Sequence, residues 1–320
     1  MHKAIALYSG GLDSLLSTII VKAQKIDVIA VKFLTGFVSS LKEKDYEYAK
    51  QFGFPLKEKD ISEKFLSILK NLEHGYGKNL NPCIDCKVLM LKEVKELMSE
   101  YGASFVVTGE VLFQRPMSQK RDTLLHIEKK AFLNGLILRP LSAKLLPPTK
   151  PEIEGIINRT LLYELWGRGR KSQISLAKQL GIEEFPQPAG GCLLTDPLFC
   201  KKVQDLINHN QLTISNTELL KIGRHFRLSE RCKVIVGRNE KENEILMKKE
   251  GEILIYPLDY KGPVILIVGE YSEKEIDKAC EICVYYTRRK NSLIVIKSKK
   301  EEKIKKSNAI LEKEIVKYKI

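Results

Sequence analysis

The chain of 320 residues has no run of 18 apolar residues, so nothing in it reads as a membrane span. It has no internal repeat, which argues against a repeat architecture. Its first residues lead straight into an apolar, strand-like segment with no charged and apolar leader, which sets the expectation of a cytoplasmic protein. Acidic residues are in deficit: 40 Asp and Glu face 54 Lys and Arg, giving a formal net charge of +14 and a pI of about 9.3. That excess favours an anionic partner, nucleic acid first, although a lysine-rich surface serving solubility gives the same balance. Seven cysteines in such a chain do not read as a disulfide framework, which leaves metal binding, catalysis and burial. Lysine is also missing from the glycine-rich turn near the N-terminus, so the GxxxxGK[ST] phosphate loop is excluded there.

That turn is Ser9-Gly10-Gly11-Leu12-Asp13-Ser14. The apolar run Ala4–Tyr8 before it reads as a buried strand, and Leu15–Lys22 after it as a helix. Two glycines allow a tight bend and close approach of a ligand. The helix start supplies free N–H groups, and Ser9 and Ser14 add hydroxyls, which together suit phosphate oxygens. Asp13 would repel phosphate unless a Mg²⁺ ion sits between them. The bland alternative is a strand-to-helix turn with no ligand.

Strands at 27–33, 55–60, 104–107 and 136–138 alternate with helices at 42–52, 62–72, 87–101 and 172–180. Ser62 and Thr149 read as helix caps. The alternation predicts an α/β fold with a parallel sheet covered on both faces and ligands beyond the C-terminal strand ends. Ser9, Leu34–Phe37 and Thr108–Glu110 all lie at such ends. The length suits two domains, read as 1–205 and 206–320. The second reads as a smaller α+β domain, with short strands at 232–236, 252–256, 264–268 and 293–297 and helices at 240–248 and 273–286. Its tail from Lys297 carries nine lysines against four glutamates, as a solvated terminal helix or an RNA contact would.

Cys83-x-x-Cys86 stands at a loop-to-helix junction, where two thiolates repel unless a metal or a bond holds them. Zinc would want a second pair. Cys280-x-x-Cys283 falls in an amphipathic helical pattern and reads as buried helix face, and Cys200 and Cys232 read as structural. Cys192 ends the Pro/Gly-rich loop 186–192. Three thiolates on a four-iron cluster would leave one iron open to sulfide. Persulfide chemistry on two of the three is the alternative. Arg159, Arg168, Arg170 and Lys171, mixed with Tyr163 and Trp166, suit RNA phosphates and exposed bases, or else form a charged helical surface.

Ser9–Ser14 resembles the SGGxDS signature of the PP-loop ATP pyrophosphatases, which cleave ATP to AMP and pyrophosphate. Asn81-Pro82-Cys83-x-x-Cys86 resembles the NPCxxC segment of tRNA 2-thiouridylases, with Lys87 where they carry Asn. Val107-Thr108-Gly109-Glu110 resembles their ATGH segment, with Glu110 in place of His. Pro140-Leu141 through Thr149-Lys150-Pro151-Glu152 resembles their PL…TKPE segment, and Gly191-Cys192-Leu193-Leu194 their GICF segment with its second catalytic cysteine. The set resembles sulfurtransferases of the 2-thiouridylase and 4-thiouridine synthetase kind, and the order CxxC…C resembles the iron–sulfur PP-loop thiolases. The resemblance implies a PP-loop domain that binds ATP through Ser9, Gly10, Gly11, Asp13, Ser14, Thr108 and Gly109, with adenine against the backbone at Lys32 and Phe33. It also implies Mg²⁺ on Asp13, catalytic roles for Asp13, Cys83, Cys86 and Cys192, and a [4Fe-4S] cluster on those three cysteines. In the second domain, Val236-Gly237-Arg238-Asn239-Glu240-x-x-Asn243 resembles the VGRN…N signature of the NFACT RNA-binding R domain. That places Arg238, Asn239 and Asn243 at RNA beside Arg168, Arg170 and Lys171, although the residue types also fit a strand-to-helix turn capped by Asn239.

The expectation is therefore an ATP-dependent tRNA sulfurtransferase. A uridine carbonyl oxygen is adenylated and then replaced by sulfur from sulfide or a persulfide carrier protein, and a homodimer is compatible. The rivals are an RNA-binding protein with a retained nucleotide fold and a PP-loop amide ligase. The first leaves Asp13 and the three cysteines idle; the second needs no CxxC.

Overall fold

The computed structural model describes residues 2–77, 79–185, 191–249, 253–299 and 301–320. The chain divides into two compact units, Met1–Asp196 and Pro197–Ile320. The helix Pro197–Asn208, which runs across the expected boundary after residue 205, goes with the second unit. No described helix is long and apolar enough to cross a membrane.

In chain order the first unit comprises β1 (Lys3–Leu7), α1 (Leu12–Lys22), β2 (Asp27–Leu34), α2 (Glu43–Phe52), β3 (Leu56–Asp60) and α3 (Ser62–Lys70). There follow α4 (Cys83–Tyr101), β4 (Phe105–Thr108), α5 (Arg121–Lys130), β5 (Ile137–Leu138), α6 (Lys150–Ile153) and α7 (Lys171–Gln179). The strands pair in parallel in the order β3-β2-β1-β4-β5. Successive residues face opposite sides of the sheet. Ala4, Ala6, Val28 and Ala30 therefore pack with Leu12, Leu16 and Ile19 of α1 and Ala177 of α7. Ile5, Leu7, Ile29 and Val31 pack with Leu91 and Val94 of α4 and Ile127 of α5. Burial on both faces is why β1, β2 and β4 read as unbroken apolar runs. β1 carries β2 on one side, in register Lys3↔Asp27 through Leu7↔Val31, and β4 on the other, Ala4↔Phe105 through Leu7↔Thr108. The strand order reverses at β1, and such a reversal opens a crevice at its C-terminal end.

Two local expectations are corrected. Ser62 is not the cap of α3: Ile61 holds that position, and the Ser62 N–H donates to Asp60 Oδ1 at 2.7 Å. The CxxC does not precede its helix but forms the first turn of α4, where the Cys86 N–H donates to the Pro82 carbonyl at 2.8 Å. Thr149 does cap α6, in a reciprocal box with Glu152.

The second unit comprises α8 (Pro197–Asn208), α9 (Ile214–Leu219), β6 (Arg224–Arg227), β7 (Cys232–Val236), α10 (Glu240–Met247) and β8 (Ile253–Pro257). There follow β9 (Ile265–Gly269), α11 (Glu273–Tyr286), β10 (Asn291–Lys297), β11 (Glu302–Asn308) and α12 (Glu312–Ile315). Among the described residues the strands form one antiparallel sheet in the order β11-β10-β8-β9-β7-β6. Of the strand expected at 252–256, Glu252 lies outside the described residues. α11 buries Cys280 and Cys283 against Val234, Ile255 and Ile267 of the sheet, and burial pushes the Cys280 thiol up to about 12. The lysine-rich tail is not a solvated helix. Its residues 302–308 form β11, paired with β10 from Asn291↔Asn308 to Lys297↔Glu302, because a waiting row of backbone groups outweighs the helix preference of Lys and Glu. At the opposite edge the backbone of 318–320 lies against β6: the Arg227 N–H donates to the Tyr318 carbonyl at 2.8 Å and the Ile320 N–H to the His225 carbonyl at 3.1 Å.

Candidate functional site

β1 ends at Leu7 and α1 starts at Leu12, so the serine–glycine turn occupies the crevice at the end of the central strand. Gly11 is the N-cap and offers no side chain to the first N–H groups of α1. The Ser9 N–H donates to Ser14 Oγ at 3.2 Å, and Ser14 Oγ donates to the Gly11 carbonyl at 2.8 Å. Gly10 has a φ of 78°, a conformation that favours glycine. Gly109 is required by contact: a Cβ there would lie 2.5 Å from Ser14 N and 2.7 Å from Asp13 O. The end of β4 can thus abut the start of α1 only without a side chain. Thr108 is buried beside it and donates to Glu110 Oε2 at 3.0 Å.

An anion and a cation both reach this turn from elsewhere in the chain: Asp45 Oδ1 lies 3.4 Å from where a Gly10 Cβ would stand, and Lys32 comes equally near. The buried Lys32 ammonium lies 3.5 Å from where a Gly10 Cβ would stand and donates to the Ser40 carbonyl at 3.2 Å. Burial lowers its pKa, partly offset by Asp45 and Glu58. The sequence reading gave Lys32 a backbone role only. Its peptide and that of Phe33 do lie past Leu7↔Val31, where the ladder with β1 ends, while the Phe33 side chain is in the core.

Asp13 is held by a residue the sequence reading missed. Gln114 Nε2 donates to Asp13 Oδ2 at 3.1 Å, while Asp13 Oδ1 is buried without a hydrogen-bond partner. Burial raises the Asp13 pKa, opposed by the Gln114 hydrogen bond and the charges of Arg170 and Arg115. A buried, unpartnered carboxylate oxygen is a vacancy in hydrogen bonding that a hard cation would satisfy, so the donor set fits Mg²⁺. Arg170, expected at RNA, is the N-cap residue of α7; its charge acts on Asp13, and its Nε is buried without a partner. Arg168 and Lys171 are exposed. Gln114 and Arg115 lie six and seven residues past the end of β4, and nothing in the sequence singles them out.

Cys83, Cys86 and Cys192 fall in one neighbourhood of the first unit, near enough for the first and last to act electrostatically on Cys86. Cys83 and Cys86 start α4, and the segment after Cys192 is tied down twice: the Leu193 N–H donates to the Phe37 carbonyl at 2.9 Å and Asn79 Nδ2 to the Thr195 carbonyl at 3.0 Å. The loop residues 186–190 lie outside the described residues. Burial, then the neighbouring Cys192 and Cys83, push the Cys86 thiol up to about 12. Cys83 Sγ donates to Asn81 Oδ1 at 2.8 Å. The Cys86 thiol, opposed in ionising by burial and by its two neighbours, would be stabilised as thiolate by the charge of a metal centre. Lys87, in the place of the family's Asn, lies 3.6 Å from Glu110 Oε1, and Arg139 Nε donates to Glu110 Oε2 at 3.0 Å. Despite burial, Lys87 and Arg139 keep the Glu110 carboxyl below its usual range. Glu110 therefore centres a buried ion cluster instead of facing a substrate. On another side of the same helical turn, His74 Nδ1 lies 3.1 Å from Asp85 Oδ1, and His74 Nε2 lies 2.7 Å from His126 Nε2. Sequence spacing gave no hint of that pair.

In the second unit the polar groups of Gly237-Arg238-Asn239 are engaged within the fold. Asn239 accepts from the Glu242 N–H at 3.0 Å as cap of α10. Asn243 Oδ1 accepts from the Val264 N–H at 3.0 Å, and its Nδ2 donates to the Gly262 carbonyl at 3.1 Å. The amides expected to face RNA are thus committed to the turn. Arg238 Nε donates to Glu242 at 3.0 Å, and its guanidinium stays half exposed.

The family model described as thiamine biosynthesis protein (ThiI) matches residues 1–165, and that of the NFACT protein RNA binding domain matches residues 223–319. A probable tRNA sulfurtransferase of Thermococcus kodakarensis is 26% identical over 170 residues, covering 51% of this chain and 42% of that protein. The chain thus spans about two fifths of the curated relative it matches. A 4-thiouridine synthetase solved with RNA and ATP is similar at 19% identity and a TM-score of 0.38, over 68% of this chain and 53% of that one. The U34-tRNA thiolase NcsA from Methanococcus maripaludis, solved with its [4Fe-4S] cluster, is similar at 16% identity and a TM-score of 0.36, over 69% and 73%.

Proposed function

The chain belongs to the ThiI family, whose model matches residues 1–165 of 320, and from that premise we propose that it is an ATP-dependent tRNA sulfurtransferase. The observation that carries the reading is that the segment of Cys192, far along the sequence, is bonded to the residues that lead into the CxxC: Asn79 Nδ2 donates to the Thr195 carbonyl at 3.0 Å, and Cys192 acts electrostatically on Cys86, in the unit that holds the serine–glycine turn. The match of residues 223–319 to an RNA-binding domain favours an RNA substrate over a small molecule.

In this reading Ser9, Gly10, Gly11 and Ser14 bind the phosphates of ATP through hydroxyls and the free N–H groups of the helix start, and the Lys32 ammonium near Gly10 is balanced by Asp45. Thr108, Gly109 and the backbone at Lys32 and Phe33 border the nucleoside. Asp13, held by Gln114, keeps one carboxylate oxygen for Mg²⁺, which would neutralise charge at the α-phosphate. An unpaired uridine presents a carbonyl oxygen to that phosphorus; the new O–P bond forms as the bond to pyrophosphate breaks. Sulfide then forms a C–S bond, and AMP leaves with the former carbonyl oxygen; with a persulfide carrier the same C–S bond forms and its S–S bond is then cleaved by a thiol, which ends in a disulfide with the carrier. Adenylation makes that oxygen a good leaving group. Cys83, Cys86 and Cys192 would hold a [4Fe-4S] cluster, which would supply Lewis-acid chemistry toward sulfur. Arg168, Lys171 and Arg238 would meet RNA phosphates, Arg238 by exchanging its Glu242 partner. The unit Met1–Asp196 would carry the chemistry and meet RNA at Arg168 and Lys171, and the unit Pro197–Ile320 would add a further RNA contact.

The test joins two measurements. ATP should yield AMP and pyrophosphate only with tRNA present, and nucleoside mass spectrometry should find a thiouridine in that tRNA. ADP as product, or unmodified tRNA after turnover with a sulfur source, would overturn the reading.

A further inference from the structure

Trp166 is the one tryptophan of the chain, and its side chain is 70% exposed. A large aromatic surface left in water costs free energy unless something covers it. Its backbone, in contrast, is fixed. Leu112 and Trp166 form a parallel bridge, and the Gly167 N–H donates to the Leu112 carbonyl at 2.7 Å. The buried Ser142 hydroxyl ties both strands of this bridge: it accepts from the Leu112 N–H at 2.9 Å and donates to the Leu165 carbonyl at 2.6 Å. The Leu165 N–H donates to the Leu141 carbonyl at 2.7 Å. An indole exposed on a segment pinned at 165 and 167 is a preorganised platform.

Its position ties it to the site. Two residues after Leu112, Gln114 donates to Asp13, so the bridge that carries the indole also carries the residue that orients the proposed metal carboxylate. Phe113, between them, is 46% exposed and takes a φ of 61°, a conformation that costs a non-glycine residue free energy and gathers at functional sites. Arg115, Arg168 and Lys171 are exposed around this rim. Aromatic faces among cations, beside a nucleotide site, match the chemistry of a single-stranded nucleic acid: bases stack on the rings while the cations follow the phosphates.

We infer that Trp166 is the stacking platform for an unpaired base of the RNA substrate at the ATP site. The inference rests on the sulfurtransferase reading for its substrate but not for its test. The full chain is titrated with single-stranded oligouridylate and with a blunt RNA duplex of equal length. Trp166 emission is followed beside the anisotropy of labelled RNA. Emission should be quenched saturably by the single strand and not by the duplex. Trp166→Ala should weaken single-strand binding about tenfold, and Trp166→Phe should retain most of it. RNA binding seen by anisotropy with unchanged emission overturns the inference, as does wild-type affinity in Trp166→Ala. Quenching by the single strand without any thiouridine formed with ATP and a sulfur source would leave the platform standing and remove the sulfurtransferase reading.

Discussion

The two units each contain a turn that leads from a strand through glycine into a helix, and they treat their polar groups in opposite ways. At Ser9–Ser14 the helix cap is a glycine without a side chain, and Asp13 keeps an oxygen that is buried and unpartnered. At Gly237–Asn243 the cap is Asn239, Asn243 bridges two backbone groups of another loop, and Arg238 is gripped by Glu242. The second turn is finished as a piece of structure; the first keeps a carboxylate oxygen without a partner at the end of the central strand.

The comparison breaks most sharply at Asp13. Asp13→Asn should lower tRNA-dependent ATP cleavage at least a hundredfold while leaving thermal stability equal or higher. Burial raises the Asp13 pKa, so the native state holds its proton more tightly than the unfolded chain; ionisation therefore costs stability as pH rises through the carboxylate range. Melting curves against pH should show that loss in the wild type and not in Asp13→Asn; a variant that melts earlier at neutral pH would mean the carboxylate is structural. Gly109→Ala comes next. Its Cβ would meet the backbone of Asp13 and Ser14, so ATP affinity measured by calorimetry should fall at least tenfold, with a stability loss of about 1–3 kcal/mol. Unchanged ATP binding would detach the end of β4 from the site.

At the finished turn the effects should move from function to stability. Asn243→Ala leaves the Val264 N–H and the Gly262 carbonyl without their side-chain partner and should cost about 1–3 kcal/mol in urea denaturation. Asn239→Ala, the loss of a cap, should cost about 1 kcal/mol. The smallest change is expected for Arg238→Ala: about twofold to threefold weaker tRNA binding, shrinking further as salt rises. A tenfold loss from either asparagine with unchanged stability would turn the second turn back into a binding motif.

Local geometry was legible in the sequence. The apolar run before Ser9, the glycines and Thr149 fixed a strand, a turn and a cap because each depends on neighbours a few residues away. What crosses the fold was not. Nothing in the spacing of Gln114 shows that it would hold Asp13, or that the Lys32 side chain would come near Gly10, because strand order decides both. β11 was missed for a related reason: its lysines favour a helix locally, and only the open side of β10 makes it a strand. The cysteines divide the same way. Cys280 and Cys283 show helical periodicity and are core, whereas the nearness of Cys192 to Cys86 followed from order in a family and not from any local pattern.

The two edges of the second sheet carry a consequence of their own. An edge strand is a template on which a foreign strand can add, and β6 is closed to this by the backbone of residues 318–320. β11 has no such cover among the described residues; it presents Lys303, Lys305 and Lys306 instead, with Ile304 exposed between them. Lys303 pairs with Glu301 and Lys305 with Asp277, so the edge is covered by charged side chains, and charge of this kind disfavours edge-to-edge pairing of two copies. Replacing the three lysines with threonine should therefore raise the fraction of self-associated protein in sedimentation, whether or not RNA is bound.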